Sequence, residues 1–551
     1  MAEARVTTLL SAHGRMRAQR LTFDATWNNI AERICPRKAM FKRGKGEGNQ
    51  TKGQRLTEKI FDATPALALD RFAAAAHSLV TPRNQVWQRF KASELSIMKS
   101  ISVQRYFDEL TRVVFAARYA GNFDNQTHEC YYDLGAFATM VLYTGDTGSK
   151  LLYKSVPMWQ AFFAENAYGV VDVMHREYWL TARQAMSEFD PAKLPAAIHT
   201  AMVRTPDAEF QFLCVTKPRD EMDVNRADYQ GMAFVQFDIC MTSQVVVSED
   251  GFREFPYSVG RYSVTPGEVY GRGPAELVLP DVNMLNEMNK TGMQASQLKA
   301  LPPMLAHRDG ILDAIRMTPA AINYGGVDDQ GRQMIQPLNV GGDVGITLEL
   351  MQQKRGVIVD AFWGKMYEVL LENPQMTATQ AMLIAQQQGA LLAPTASRIE
   401  SEFLARNASR ELDILHKAGL LPEPPPELLE AGGGYQIEYD SPMSRARRAE
   451  EGVGILRSFE QLAPMAQIAG PGIFKRVKWD EASRIIFEVN GAPSKMLYTD
   501  DEMQAVDAQQ QQAAQLKGIL DAAPVAASAA KDLAGASAIA AAVPNQQAPA
   551  A

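Results

Sequence analysis

Two long helical patterns bracketing a stretch that cannot be helical constrain this chain more than any other feature. In the first, Val278, Val282, Leu285, Met288, Gly292, Ala295 and Leu298 recur at three- and four-residue spacing, so one apolar stripe runs down to Leu301-Pro302-Pro303. Pro280 lies in its first turns, which predicts a helix that starts properly only after it, because proline removes a backbone donor and crowds the preceding turn. Residues 302–344 are rich in glycine and proline with short apolar pieces, and predict a compact insertion. The pattern then resumes, with Leu350, Val357, Ile358, Ala361, Phe362, Met366, Val369 and Leu370 on one side until Asn373-Pro374 stops it. At 1.5 Å per residue, a helix of 25–28 residues spans roughly 40 Å.

The rest of the chain predicts an α+β protein. Helices are expected over residues 5–34, ended by Cys35-Pro36, and over 64–79, with Thr64 as cap and Pro65 at the first helical position. Two more are expected over 103–119 and 126–140. From about Lys150 the period moves towards two, and 170–180, 210–215 and 234–240 read as strands. Ser248-Glu-Asp-Gly251 predicts a hairpin turn between 245–247 and 252–255, because Asp-Gly readily supplies positive φ. Later, Thr377-x-x-Gln380 is a capping box, and Pro394-Thr395 opens a helix reaching Gly419. Pro422–Pro426 reads as a stiff linker and 435–499 as a mixed α/β piece. The last 51 residues hold 19 Ala and 8 Gln, too little apolar area to offset the entropy of ordering, so a disordered tail is expected.

Composition narrows the function classes. A chain of 551 residues suggests about three or four folding units. No run of about 18 apolar residues occurs, so no membrane span is expected, and the start lacks the apolar region of a secretory signal. Four scattered cysteines without a C-x-x-C argue against a disulfide framework or thiolate zinc site. The net charge is −7, yet residues 1–60 carry 13 Lys/Arg against 5 Asp/Glu. The basic segment 37–59 around Gly44, Gly46, Gly48 and Gly53 suits phosphates or is a solvated loop. An acidic chain is a poor candidate for tight sequence-specific DNA binding, whose affinity rests heavily on phosphate neutralisation.

Motifs that carry chemistry are missing. The seven histidines form no close ligand pair, and Gly145–Lys150 lacks the G-K-[S/T] ending of a phosphate loop, so a hairpin turn is the better reading. Gly271-Arg-Gly-Pro274 departs from G-x-G-x-x-G, and no G-x-S-x-G elbow occurs. His128, Glu129 and Cys130 are neighbours on one helix and point in different directions. No catalytic, cofactor or metal residues are assigned. The open alternatives are a DNA-binding accessory protein using 37–59 and an enzyme whose site escapes motif search.

Several segments together resemble portal, or head-to-tail connecting, proteins of tailed phages, particularly the podovirus type. They are Trp27-Asn-Asn-Ile-Ala-Glu-Arg-Ile-Cys-Pro36; Ile60-Phe-Asp-Ala-Thr64 continuing to Leu79-Val-Thr-Pro-Arg-Asn-Gln-Val-Trp87; Gly251-Phe-Arg-Glu-Phe-Pro-Tyr257; and Val269-Tyr-Gly-Arg-Gly-Pro-Ala275 followed by Leu279-Pro-Asp-Val-Asn-Met-Leu-Asn286. Their order covers roughly residues 20–420.

The resemblance implies a portal-type fold: a wing (1–270), a first stem helix (271–301), a clip (302–344), a second stem helix (345–372), a tunnel loop with wing helices (373–420), a C-terminal wing and crown (421–500) and the Ala/Gln tail (501–551). It also implies a ring, typically of twelve subunits, at one capsid vertex of the virion, assembled in the host cytoplasm. Double-stranded DNA would pass through it without sequence preference. Terminase, scaffolding protein, major capsid protein and a tail adaptor are the implied partners, with no cofactor and no membrane. Gln375, Gln380, Gln386, Gln387 and Gln388 become channel-lining candidates. Lys354, Arg355 and Lys365 are candidates either for DNA-backbone rings or for pairing between stems. Tyr270, Gly271, Arg272, Gly273 and Pro274 become a wing–stem hinge in which the glycines permit unusual φ. Arg308, Asp309, Arg316, Asp328, Asp329 and Arg332 are clip contact candidates. Twelve subunits would carry about −84 formal charges, a bore that does not hold DNA by counterion release.

Overall fold

A computed structural model describes residues 2–39, 41, 57–94, 97–148, 150–220, 228–306, 327, 330–338, 344–364, 394–430 and 432–440, with isolated positions 222, 226, 316 and 322. The chain divides into two compact units, Met1–Glu450 and Glu451–Ala551, and the second lies outside the described residues. So do Thr377-x-x-Gln380, most of the 435–499 piece and the Ala/Gln tail.

Helices α1 (Ala2–Arg33), α2 (Thr64–Val80), α3 (Ile101–Ala120) and α4 (Phe123–Phe137) build the first half, with the short strand β1 (Gln88–Ala92) between α2 and α3. Pro65 takes the second helical position of α2, not the first. Thr64 is already helical, and its amide N–H donates to Asp62 Oδ1 at 2.8 Å, so Asp62 does the capping expected of Thr64. Helix α4 ends three residues before the expected 140, because Ala138 takes a left-handed conformation (φ 56°) that turns the chain into β2 (Thr139–Asp146).

Strands β2, β3 (Leu151–Ser155) and β9 (Tyr257–Arg261) make an antiparallel sheet in the order β3-β2-β9. The β2–β3 turn confirms the hairpin reading of Gly145–Lys150. A five-stranded antiparallel sheet follows chain order: β4 (Ala161–Glu165), β5 (Val171–Thr181), β6 (Glu209–Pro218), β7 (Phe234–Cys240) and β8 (Val245–Phe252). Helices α5 (Ala182–Glu188) and α6 (Ala196–Arg204) fill the β5–β6 connection. The expected Asp-Gly hairpin is overturned. Asp250 and Gly251 lie inside β8, paired with Gln236 and Val235, and the turn is Met241–Gln244 with Gln244 at φ 55°. Gly251 is there because the Tyr229 carbonyl occupies the place of a Cβ.

Helix α1 reaches two cores. Val6 and Leu9 pack on Leu213, Val215, Val235, Phe237 and Ile239, whereas Trp27 and Ile30, with Ile34 just past the helix end, join the main core with Phe72, Phe137 and Leu142. Between them His13 Nε2 donates to Glu177 Oε1 at 2.6 Å, and the His13 ring stacks on His175 with centroids 5.5 Å apart. Burial, then the neighbouring His13, pushes the His175 imidazole down to about 3. The fold therefore favours neutral His175. That stability is complete above the unfolded value near 6.5 and is lost as pH falls towards 3, by up to about 1.4 kcal/mol per pH unit. The expected result is a thermal midpoint that drops between pH 7 and 5, and a flatter profile in His175→Gln. An unchanged profile in that variant would remove His175 as the cause.

Helix α7 (Pro274–Ala300) begins at Pro274 and carries Pro280 within it, so the expected later start is also corrected. Only one ladder bond is forfeited there, and Val278, Leu279, Val282 and Leu285 are buried around it. Two short strands, β10 (Met304–Ala306) and β11 (Ile335–Pro337), pair antiparallel and close the base of the 302–344 insertion. Helix α8 (Val344–Ala361) returns alongside α7. It is interrupted after Ala361 by a turn at Phe362 and Trp363, Gly364 is helical again, and residues 365–372 of the expected span lie outside the described residues. A helix over residues 394–398 continues through a π-helical turn (Ile399–Leu404) into α9 (Ala405–Lys417), then α10 (Pro426–Glu430) and β12 (Tyr435–Tyr439), which pairs with β1.

Candidate functional site

The feature that organises the molecule is the root of the α7/α8 pair. Tyr270 anchors it: its ring is buried against Trp27, Phe163 and Phe23, with centroids 5.2, 4.6 and 5.4 Å away. The Gly271 N–H donates to Thr139 Oγ1 at 3.0 Å, and a Cβ on Gly271 would overlap the Ala138 carbonyl oxygen. At Gly273 a Cβ would sit 2.7 Å from the Ala138 methyl. Gly273 has extended backbone (φ −151°) and Gly271 is not among the positive-φ glycines. The expected reason for these glycines is therefore corrected. They permit close approach to Ala138, and they do not supply unusual φ.

Arg272 lies between Glu268 and Glu276 and bonds both, with its N–H on the Ser263 carbonyl at 2.8 Å. Its bond to Glu268 is the largest influence holding the guanidinium protonated, and the same bond lowers Glu268. Pro274 then opens α7 at its first position. Beside it lies an open groove of about 550 Å³ lined by Tyr262, Arg272, Gly273, Pro274, Glu276, Leu277 and Ala361.

Further along, the two helices are braced to each other and to α2. Lys354 Nζ reaches Asp281 Oδ1 at 2.6 Å. Arg355 donates to Asp62 Oδ2 at 3.0 Å, the same oxygen that receives Asn289 Nδ2 at 2.6 Å. Burial raises the Asp62 carboxyl, but the bonds from Thr64 and Arg355 outweigh it and hold it below the usual range. Asn286 completes the brace, accepting the Phe61 N–H and donating to the Lys59 carbonyl. Asp62, Asn286 and Asn289 were not singled out in the sequence. The motif Ile60-Phe-Asp-Ala-Thr64 marked the place without revealing its partners, more than 220 residues away.

The other candidates are distributed as follows. Lys354 and Arg355 face carboxylates of their own chain. Arg316 and Arg332 are exposed. Lys365, Gln375, Gln380, Gln386, Gln387, Gln388, Arg308, Asp309, Asp328 and Asp329 lie outside the described residues. In the basic segment, Arg37 and Lys38 pair with Glu129, Lys38 also with Asp133, and Lys59 pairs with Glu32. Lys42, Arg43, Lys45, Lys52 and Arg55 lie outside the described residues. Among the described helices none is long and apolar enough to cross a membrane.

Comparison with known proteins bears directly on this arrangement. A family model described as "Bacteriophage head to tail connecting protein" matches residues 6–497. A "Probable portal protein" of Bordetella phage BPP-1 is 24% identical over 524 residues, 93% of each chain. The "Portal protein" of Salmonella phage epsilon15 is 22% identical over 529 residues, covering 94% of this chain and 93% of that one.

Proposed function

We propose, from the premise that this chain belongs to the bacteriophage head-to-tail connecting protein family and is a phage portal protein, that it closes into a ring, typically of twelve copies, whose α7/α8 pairs surround the path of double-stranded DNA. The ring would stand at one capsid vertex. There it would take the packaging terminase first and a tail adaptor later, with scaffolding and major capsid proteins around its rim. Residues 271–301 and 345–372 would be stem, 302–344 clip, and the flanking regions wing.

One observation carries the ring. Helix α7 buries one stripe in its own chain yet leaves Leu277, Met284, Met293 and Leu298 exposed, Leu277 at 77%, and Leu301 just past its end is 80% exposed. Leu277, Met284 and Leu298 fall on a seven-residue repeat, the spacing at which one helix face meets a neighbouring helix. Exposed apolar residues repeated at that spacing mark an interaction surface, and a heterologous contact repeated around an axis closes a ring when its rotation closes.

The proposal assigns Lys354 and Arg355 to bracing and not to DNA. Their charges are neutralised by Asp281 and Asp62 within the chain, so twelve copies would not add a cationic collar. The test is the mass of the purified protein and its particle images. The wild type should give an annulus near twelve subunit masses, and Leu277→Glu with Leu298→Glu should give folded monomers with an unchanged thermal midpoint. Monomeric wild type under all assembly conditions, or rings from the double variant, would overturn the reading.

The accessory-protein alternative predicts a different result. Neutralising the basic residues of 37–59 would abolish DNA binding, and wild-type affinity would fall steeply with salt. A portal ring holds its assembly in that variant.

A further inference from the structure

The sequence pattern carries α8 through Phe362, Met366 and Val369 without a proline, yet the helix is interrupted after Ala361 by a turn at Phe362 and Trp363, with Gly364 helical again. The break is unusual. Trp363 adopts a left-handed backbone with φ 61°, a conformation in which a bulky L-residue is a genuine outlier. The amides of Phe362 and Trp363 bond three residues back, to Val359 and Asp360 at 3.2 and 3.3 Å, in place of the four-back bonds of a continuing helix. Gly364 folds so tightly onto the last turn that a Cβ there would overlap the Val359 side chain and lie 2.7 Å from its carbonyl oxygen.

Side-chain contacts hold this geometry. The Trp363 ring lies 4.5 Å from the Phe72 ring, and Trp363 Nε1 donates to the Tyr262 hydroxyl at 3.2 Å. Tyr262 also lines the open groove at the helix root, together with Ala361, the last residue of α8. A strained residue held by one hydrogen bond and two ring contacts, on Phe72 and Tyr262, therefore lies next to an open groove. Outliers of this kind persist only where the surroundings over-determine them, and they gather at switching segments.

We propose that the end of α8 is a two-state joint. In the state described, Trp363 is docked on Phe72 and Tyr262, and the helix is broken. In the other, Trp363 leaves that seat, its backbone returns to the right-handed region, and α8 runs through Phe362 and Trp363 into the helical Gly364 without a break. The left-handed penalty favours the continuous helix by about tenfold, and docking of the indole offsets it. The switch re-aims the chain that leaves α8 at the point where the helix pair meets the body. It goes beyond the ring reading and does not depend on it, since it concerns a single subunit.

Backbone hydrogen exchange over residues 359–364 provides the test, because two substitutions should act in opposite directions. Gly364→Ala cannot form the tight break and should raise protection of the Trp363 and residue-364 amides by about tenfold. Trp363→Gly removes the left-handed penalty, should keep the break, and should leave those amides no better protected than in wild type. Should Gly364→Ala fail to fold, Trp363→Ala replaces it: the penalty stays, docking is lost, and protection should rise. Falling protection in the alanine variants, or the same direction of change in Trp363→Gly and the alanine variants, would overturn the proposal. Ring formation can be intact in either case, so its failure is read separately from particle images.

Discussion

Glu411→Ala should destabilise this protein by about 3–5 kcal/mol, the cost of leaving a buried charge without its partner. Arg118 and Glu411 are only 3% and 0% exposed. The guanidinium reaches the carboxylate three ways, with Nε at 3.0 and 3.1 Å and Nη2 at 2.7 Å. Tyr153 and Asn407 donate to the same carboxylate at 2.6 and 2.7 Å, and Gln88 accepts from Arg118 at 2.9 Å. Burial opposes the Arg118 charge, and Glu411 more than restores it. The rings of Trp87, Phe115 and Phe123 surround the guanidinium, so it has no path to water once Glu411 is gone.

Chemical denaturation at pH 7 measures the loss. Replacing both ions, as Arg118→Met with Glu411→Leu, should cost much less than Glu411→Ala alone, because a well-packed apolar pair avoids desolvation. A loss below about 1 kcal/mol in the single variant would place this pair with exposed ones. The network joins α3, β1, β3 and α9, so its failure would loosen the body that carries the helix pair.

That network also shows where sequence reading stops. The strand Phe234–Cys240 was legible to the residue, because a short run rich in aromatic and β-branched residues is a local signal. Helices α1 to α4 were legible for the same reason, with errors of a few residues at their ends. The Asp-Gly dipeptide at 250–251 misled because its local preference for a turn lost to two strands paired from Phe234–Phe252 to Cys240–Val245, with one register shift at Asp238/Ile239. Pro280 misled similarly: one missing helix bond is small beside the burial of Val278, Leu279, Val282 and Leu285. What could not be read at all was pairing at a distance. Nothing local to Asp62 announces Arg355, and nothing local to Arg118 announces Glu411, 293 residues away in both cases. The motif around 270–274 was found, but its reason was not, since the residue it packs against, Ala138, lies on another element.

Ala138 supplies the sharpest test of the helix root. Gly271→Ala should cost about 2–3 kcal/mol, the upper part of the overpacking range, because the added methyl meets a backbone carbonyl that cannot change rotamer. Gly273→Ala should cost less, since it meets only the Ala138 methyl. The two should then part under a second change. Ala138→Gly removes that methyl and eases the left-handed φ of 56°, so it should rescue Gly273→Ala. It leaves the carbonyl where it is, so it should not rescue Gly271→Ala. Thermal midpoints of the four variants decide this, and ring yield reads the consequence. Because α7 begins one residue after Gly273, a shift of Ala138 against this turn moves the start of the long helix. A rigid root predicts that yield falls with the midpoint across the series. A flexible hinge predicts that Gly271→Ala lowers neither, and would replace close packing with mobility as the reason for the two glycines.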